Sequence, residues 1–118
     1  MYQLVLHKTL TLEKWRRFSI DRHILMIANE VNRLQNSFQH QFSTESIREI
    51  FERAFELIDM MIWSQSGNLR KELLRWRELF SELYVMDRDT FDKSFKPVQQ
   101  MYRVLLLLNH QSAQLLAP

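Results

Sequence analysis

Residues 43–63 read STESIREIFERAFELIDMMIW, and this stretch decides the fold. Ile47, Phe51, Ala54, Ile58 and Met61 recur at steps of four and three, a spacing that a helix gathers into one stripe. Ile50, Leu57 and Ile62 widen the stripe into a face broad enough to meet two neighbours. Glu45, Glu49, Glu52, Glu56 and Asp59 run along the back at the same steps. One helix therefore presents an apolar face to a core and an acidic face elsewhere. Ser43 or Thr44 is its expected N-cap, with Glu45 in the first turn, where the helix dipole favours an anion. Met60 and Trp63 fall outside the stripe and are expected to add to an exposed patch.

The same spacing appears on both sides of this segment. Upstream, Ser19 is placed to cap a long helix whose seam is Ile20, Ile24, Ile27, Val31, Leu34 and Phe38. Ala28 beside that seam lets a neighbour come close, and the amide-rich run Gln35–Gln41 predicts fraying near Phe38. Downstream, Gly67 is the only glycine, placed where a left-handed residue would end the central helix. Asn68 is then expected to cap a third helix with the seam Leu69, Leu73, Trp76, Phe80 and Leu83. After a polar break at Met86–Asp89, Asp89 or Thr90 starts a turn through Phe91 and Phe95, and Pro97 forces a kink or fresh start. The last helix is predicted from Val98 to about Gln111, and Val104–Leu108 is apolar all round. At the other end, Thr11 caps a short helix, Leu12–Phe18, anchored by Trp15, and the alternation of Tyr2, Leu4 and Leu6 suggests an extended arm.

Composition agrees with this pattern. One Gly and two Pro in 118 residues leave little of the turn chemistry that hairpins need, and helix formers are plentiful. The expectation is one all-α domain over residues 1–118, an antiparallel up-and-down four-helix bundle with a short extra N-terminal helix. Within it, residues 1–10 form the arm, 11–18 the short helix and 19–118 the bundle. The absence of Cys excludes disulfides, thiolate catalysis and cysteine-bearing metal sites. Met1–Leu6 lacks the length, basic lead and cleavage site of a secretory leader, and no apolar run approaches the roughly 20 residues of a membrane span, so a cytoplasmic protein is expected.

A net charge of +2 is too small to imply nucleic acid, but its distribution is uneven. Residues 1–42 hold six Lys/Arg against three Asp/Glu, residues 43–66 hold two against five, and residues 67–118 hold eight against six. The acidic central helix is thus flanked by mild base, which predicts pairing within the chain.

Several constellations invite chemistry. Di-iron bundles need Glu-x-x-His pairs, and none of His7, His23, His40 or His110 has a Glu three residues before it. Glu49-x-x-Glu52 and Glu56-x-x-Asp59 resemble the paired acidic motifs of all-α nucleotide pyrophosphohydrolases, a resemblance that implies Mg²⁺ held against a triphosphate. In that family the motifs face each other from separate helices. Here they are consecutive on one helix, so a solvated or salt-bridged face is expected, with Glu49–Arg53 available as an i,i+4 pair. Arg103 and His110 stack on one face of the last helix and resemble the Arg–His motif of HEPN ribonucleases, small dimeric helical bundles. That resemblance implies a His that shuttles a proton while an Arg holds the RNA phosphate. The ordinary alternative is an Arg and a His at the polar margin of a buried helix. Arg70, Lys71, Arg75 and Arg77 surround Trp76, but Glu72, Glu78 and Glu82 interleave with them, which describes a solvated face beside a core ring.

Residues 27–33, IANEVNR, and 52–59, ERAFELID, resemble a set of short uncharacterised bacterial helical proteins over roughly residues 12–80. The resemblance implies a bacterial origin and brings no activity with it. It draws attention to Asn29, Asn32, Arg33, Arg53 and Asp59 as an inter-helical polar network, with Arg33 or Arg53 paired to a carboxylate. Together these features predict a non-enzymatic interaction or scaffold protein with no cofactor. A homodimer through the last helix and the arm is expected, with a possible further protein partner.

Overall fold

The computed structural model describes residues 10–40, 43–85 and 95–108. These form five helices and, among the described residues, no strand: α1 Leu12–Arg16, α2 Ile20–Gln39, α3 Thr44–Ser64, α4 Gly67–Tyr84 and α5 Phe95–Leu106. The expected arm at Tyr2, Leu4 and Leu6, the expected turn at Asp89–Phe91, and His110 all lie outside the described residues.

Side-chain oxygens start three of the helices by accepting a backbone N–H that has no partner within the helix. Thr11 Oγ1 accepts from Lys14 N at 3.1 Å, Ser19 Oγ from Arg22 N at 3.2 Å and Ser43 Oγ from Ser46 N at 3.2 Å. The link between α3 and α4 differs from its expected form. Gln65 and Ser66 are extended, and Gly67 sits at the first position of α4 with φ +68. Its left-handed backbone therefore turns the chain into α4 instead of closing α3, and Ser66 takes the N-cap position expected for Asn68. α5 begins three residues earlier than the Pro97 break predicts. Pro97 is tolerated because it stands in the first turn, where a backbone N–H has no acceptor within the helix. The helix ends at Leu106 with a turn through Leu107 and Leu108, so part of the predicted extension to Gln111 lies outside the described residues.

The seams become the core. Ile24, Ile27, Val31 and Leu34 of α2 pack with Ile47, Phe51, Ala54, Ile58 and Met61 of α3 and with Leu73, Trp76, Phe80 and Leu83 of α4. Each fully buried residue of this size contributes roughly 1.5–3 kcal/mol. Ile20 belongs to the same period but is partly exposed, because it opens α2 and has no turn before it. Met60, expected on the surface, is fully buried, while Trp63 is 52 % exposed.

α2 packs on α3 and α5, and α4 packs on α3 and α5. Residue pairing gives the direction of α3 against α4. Asp59 meets Arg77, Phe55 meets Phe80 and Glu52 meets Tyr84, so numbers fall on one helix as they rise on the other and the two are antiparallel. Among the described residues no helix is long and apolar enough to cross a membrane.

Candidate functional site

The acidic back of α3 is divided by its neighbours into three environments. Glu45 and Glu49 are exposed. Glu52 is also exposed and accepts from the Tyr84 hydroxyl of α4 at 3.4 Å. Asp59 accepts from Nε and Nη2 of Arg77, the second at 3.3 Å, and the same guanidinium lies 5.0 Å from the centre of the Phe55 ring. Glu56 lies half-buried between these levels and has an interaction of its own. The four carboxylates of the magnesium resemblance, Glu49, Glu52, Glu56 and Asp59, thus leave successive turns of one helix. Among the described residues no group of three or more His, Cys, Asp or Glu is placed to hold a metal ion.

A second polar centre lies between α2 and α3. Glu30 is only 6 % exposed, and its carboxylate accepts from Arg53 Nε at 3.2 Å and Arg33 Nη1 at 3.5 Å. Of the network expected at Asn29, Asn32, Arg33, Arg53 and Asp59, the structure brings Arg33 and Arg53 together on this carboxylate. Asn29 and Asn32 face solvent, and Asp59 belongs to the α3–α4 seam. Arg53, available to Glu49 along its own helix, reaches across to Glu30. A buried carboxylate needs such a partner, because an isolated charge there would cost several kcal/mol. Glu30 is legible in hindsight: it stands three residues after Ile27 and four before Leu34, on the inner flank of the α2 seam.

The third centre joins α1 to the chain's first two long helices. Trp15 is fully buried, and its indole N–H donates to Ser64 Oγ at 3.1 Å at the end of α3. His23 of α2 stacks on the Trp15 ring, centroids 3.8 Å apart and planes within 2° of parallel. His23 Nε2 lies 2.6 Å from the Trp15 carbonyl oxygen, which can only accept, so Nε2 carries the hydrogen. The other ring nitrogen, Nδ1, is buried with no hydrogen-bond partner among the described residues. Burial lowers the pKa of His23, and the backbone hydrogen bond offsets part of that effect. This imidazole cannot relay a proton to an outside molecule, since one nitrogen is engaged and the other is sealed. Around the junction, Arg16 lies 5.7 Å from the exposed Trp63 ring, and Arg22 lies 5.1 Å from the Phe18 ring.

α5 carries the remaining candidates. Arg103 is exposed, and His110, which the ribonuclease resemblance requires beside it, lies outside the described residues. The apolar run ending this helix divides as its periodicity requires. Leu105 and Leu106 are buried and Leu108 is half-buried, whereas Val104 and Leu107 are 43 % and 61 % exposed. No protein-family model, curated protein or solved structure matches the chain.

Proposed function

We propose that this protein is a non-enzymatic helical interaction module of the cytoplasm that works as a two-fold dimer. Its four long helices, α2 to α5, form an antiparallel up-and-down bundle to which α1 is appended. The pairings of α2 and α4 with both α3 and α5, and the antiparallel register of α3 against α4, support that topology.

The observation that carries the dimer is the end of α5 and the turn after it, where Val104 and Leu107 stand in water beside the buried Leu105 and Leu106. Val104 in the last turn of α5 and Leu107 in the turn just beyond it are exposed branched apolar residues three apart, and a two-fold axis would set them against their own copies. A contact of ordinary size buries about 1,600 Å² in total, so this face would form its centre, with Arg103 beside it. The paired charges at Glu30–Arg53 and Asp59–Arg77 hold helices together within one chain.

Light scattering across a dilution series tests this reading. A mass near twice 14.4 kDa is expected, reduced to 14.4 kDa by Val104→Glu with Leu107→Glu at unchanged helical content. A mass of 14.4 kDa for the natural chain at every concentration would overturn it.

A further inference from the structure

α1 is too short to hold its own helical form, since five residues close barely one turn. Its attachment is therefore concentrated at Trp15, while Glu13, Lys14 and Arg16 are all exposed. Besides the burial of Trp15 in the core, three directional fastenings meet there: the indole N–H on Ser64, the carbonyl on His23 Nε2, and the indole face against the His23 ring. Two of the three depend on His23, which is 3 % exposed.

We propose that His23 makes α1 an acid-released strap, whose docking through Trp15 ends when the imidazole takes a second proton. The geometry supplies the reason. With Nε2–H committed to the Trp15 carbonyl, an added proton must go to Nδ1, which is buried without an acceptor among the described residues. Protonation therefore creates a buried positive charge and a buried unsatisfied donor together. The indole face attracts an imidazolium, and this offsets part of that cost without supplying an acceptor. The ring gains full hydration only by leaving the stack, and leaving it breaks two of the three fastenings.

The charged groups on the surrounding elements do not rescue the proton. α1 carries Glu13, Lys14 and Arg16, and Arg17 follows it with its guanidinium on Glu13 at 3.1 Å. On α2 itself the nearest charges are Asp21, which has an interaction of its own, and Arg22 over Phe18. The last turn of α3, Met60 to Ser64, has no charged side chain, and the last turn of α5 contributes the exposed Arg103. Burial and the Trp15 carbonyl are the two causes of the His23 shift, and the net direction is downward from 6.5. Because the docked form has the lower pKa, its stabilisation by neutral His23 is fully present above pH 6.5. It is lost as pH falls through the docked-state value.

Hydrogen exchange followed by NMR on the full chain tests the strap, with each rate normalised to its intrinsic value. Between pH 6.5 and the docked-state pKa, protection of the Trp15 indole and of the amides around it should fall by up to about tenfold per pH unit, as one coupled proton requires. The Trp76 indole, bonded to the Met101 carbonyl at 2.9 Å, should stay protected and serves as the internal reference. His23→Gln keeps an N–H donor for the Trp15 carbonyl but does not titrate, so its strap should be independent of pH. Should that variant not fold, the His23 ring resonances of the natural chain must titrate below pH 6.5, at the pH where the fall in Trp15 protection levels off. Unchanged Trp15 protection down to pH 4.5, an equal pH dependence in His23→Gln, or a fall that levels off away from the pH at which His23 titrates would each overturn the proposal.

Discussion

Two aromatic regions hold this molecule together in opposite ways. Between α3 and α4, Phe80 stacks on Trp76 at 4.7 Å and touches Phe51 at 5.0 Å and Phe55 at 5.2 Å. Tyr84 meets Phe51 and Phe55 edge-on at 5.4 and 5.6 Å. At the α1 junction a single indole stacks on a single imidazole. The first region is redundant, since Phe51, Phe55, Phe80 and Tyr84 each meet two or more other rings and have several turns of helix behind them. The second is serial, because α1 has no other buried side chain among those described. Redundant packing binds helices into one cooperative unit, whereas a serial fastening produces an element that opens alone.

The largest effect should come from Phe80→Ala. It removes the ring that touches three others and should lower global stability by about 3–5 kcal/mol, read from the denaturant midpoint. A loss below about 1 kcal/mol would mean that the seam is not the shared core described above.

Trp15→Ala sharpens the contrast. Trp15 is as fully buried as Phe80, and an interior tryptophan is worth about 3–5 kcal/mol, yet the global loss should stay below about 2 kcal/mol. The remainder should appear as local loss of hydrogen-exchange protection in α1. A full-sized midpoint shift with uniform loss of protection would show that α1 unfolds with the rest, and the comparison would break.

The smallest effect is expected from Arg77→Ala. The Asp59–Arg77 pair is more than one-third exposed, so solvent screens it, and the guanidinium adds its contact with the Phe55 ring. Together they should contribute about 1 kcal/mol or less, and raising salt should narrow the gap between natural chain and variant. A loss above about 2 kcal/mol would place this ion pair among the redundant contacts of the seam.

Seen against these regions, the sequence is most legible where one helix suffices to state the pattern. The seam positions Ile24 to Leu34, Ile47 to Met61 and Leu73 to Leu83 follow from spacing alone, because a helix places every third or fourth residue on one face whatever its neighbours are. The caps at Thr11, Ser19 and Ser43 are similarly local, as each hydroxyl satisfies an N–H three residues away. That the run Val104–Leu108 cannot all be buried in one core is local too, since five consecutive residues would reach every side of a helix.

What the tertiary structure alone decided is which groups meet across helices. Spacing marked Arg53 as a partner for Glu49, and the resemblance put Asp59 in a network with Arg33, but the approach of α2 gave Arg53 to Glu30, and that of α4 gave Asp59 to Arg77. Met60 was read as exposed from its own helix, and its burial depends on neighbours that the helix period does not specify. His23 stands on the flank of the α2 seam like any margin residue, until a helix that starts eleven residues earlier sets Trp15 against it and seals one of its nitrogens. Periodicity is a property of one helix, so the sequence determined the seams of α2, α3 and α4 and the starts of α1, α2 and α3. Pairing depends on the distance and rotation between two helices, and those emerge only when all the apolar faces are buried at once.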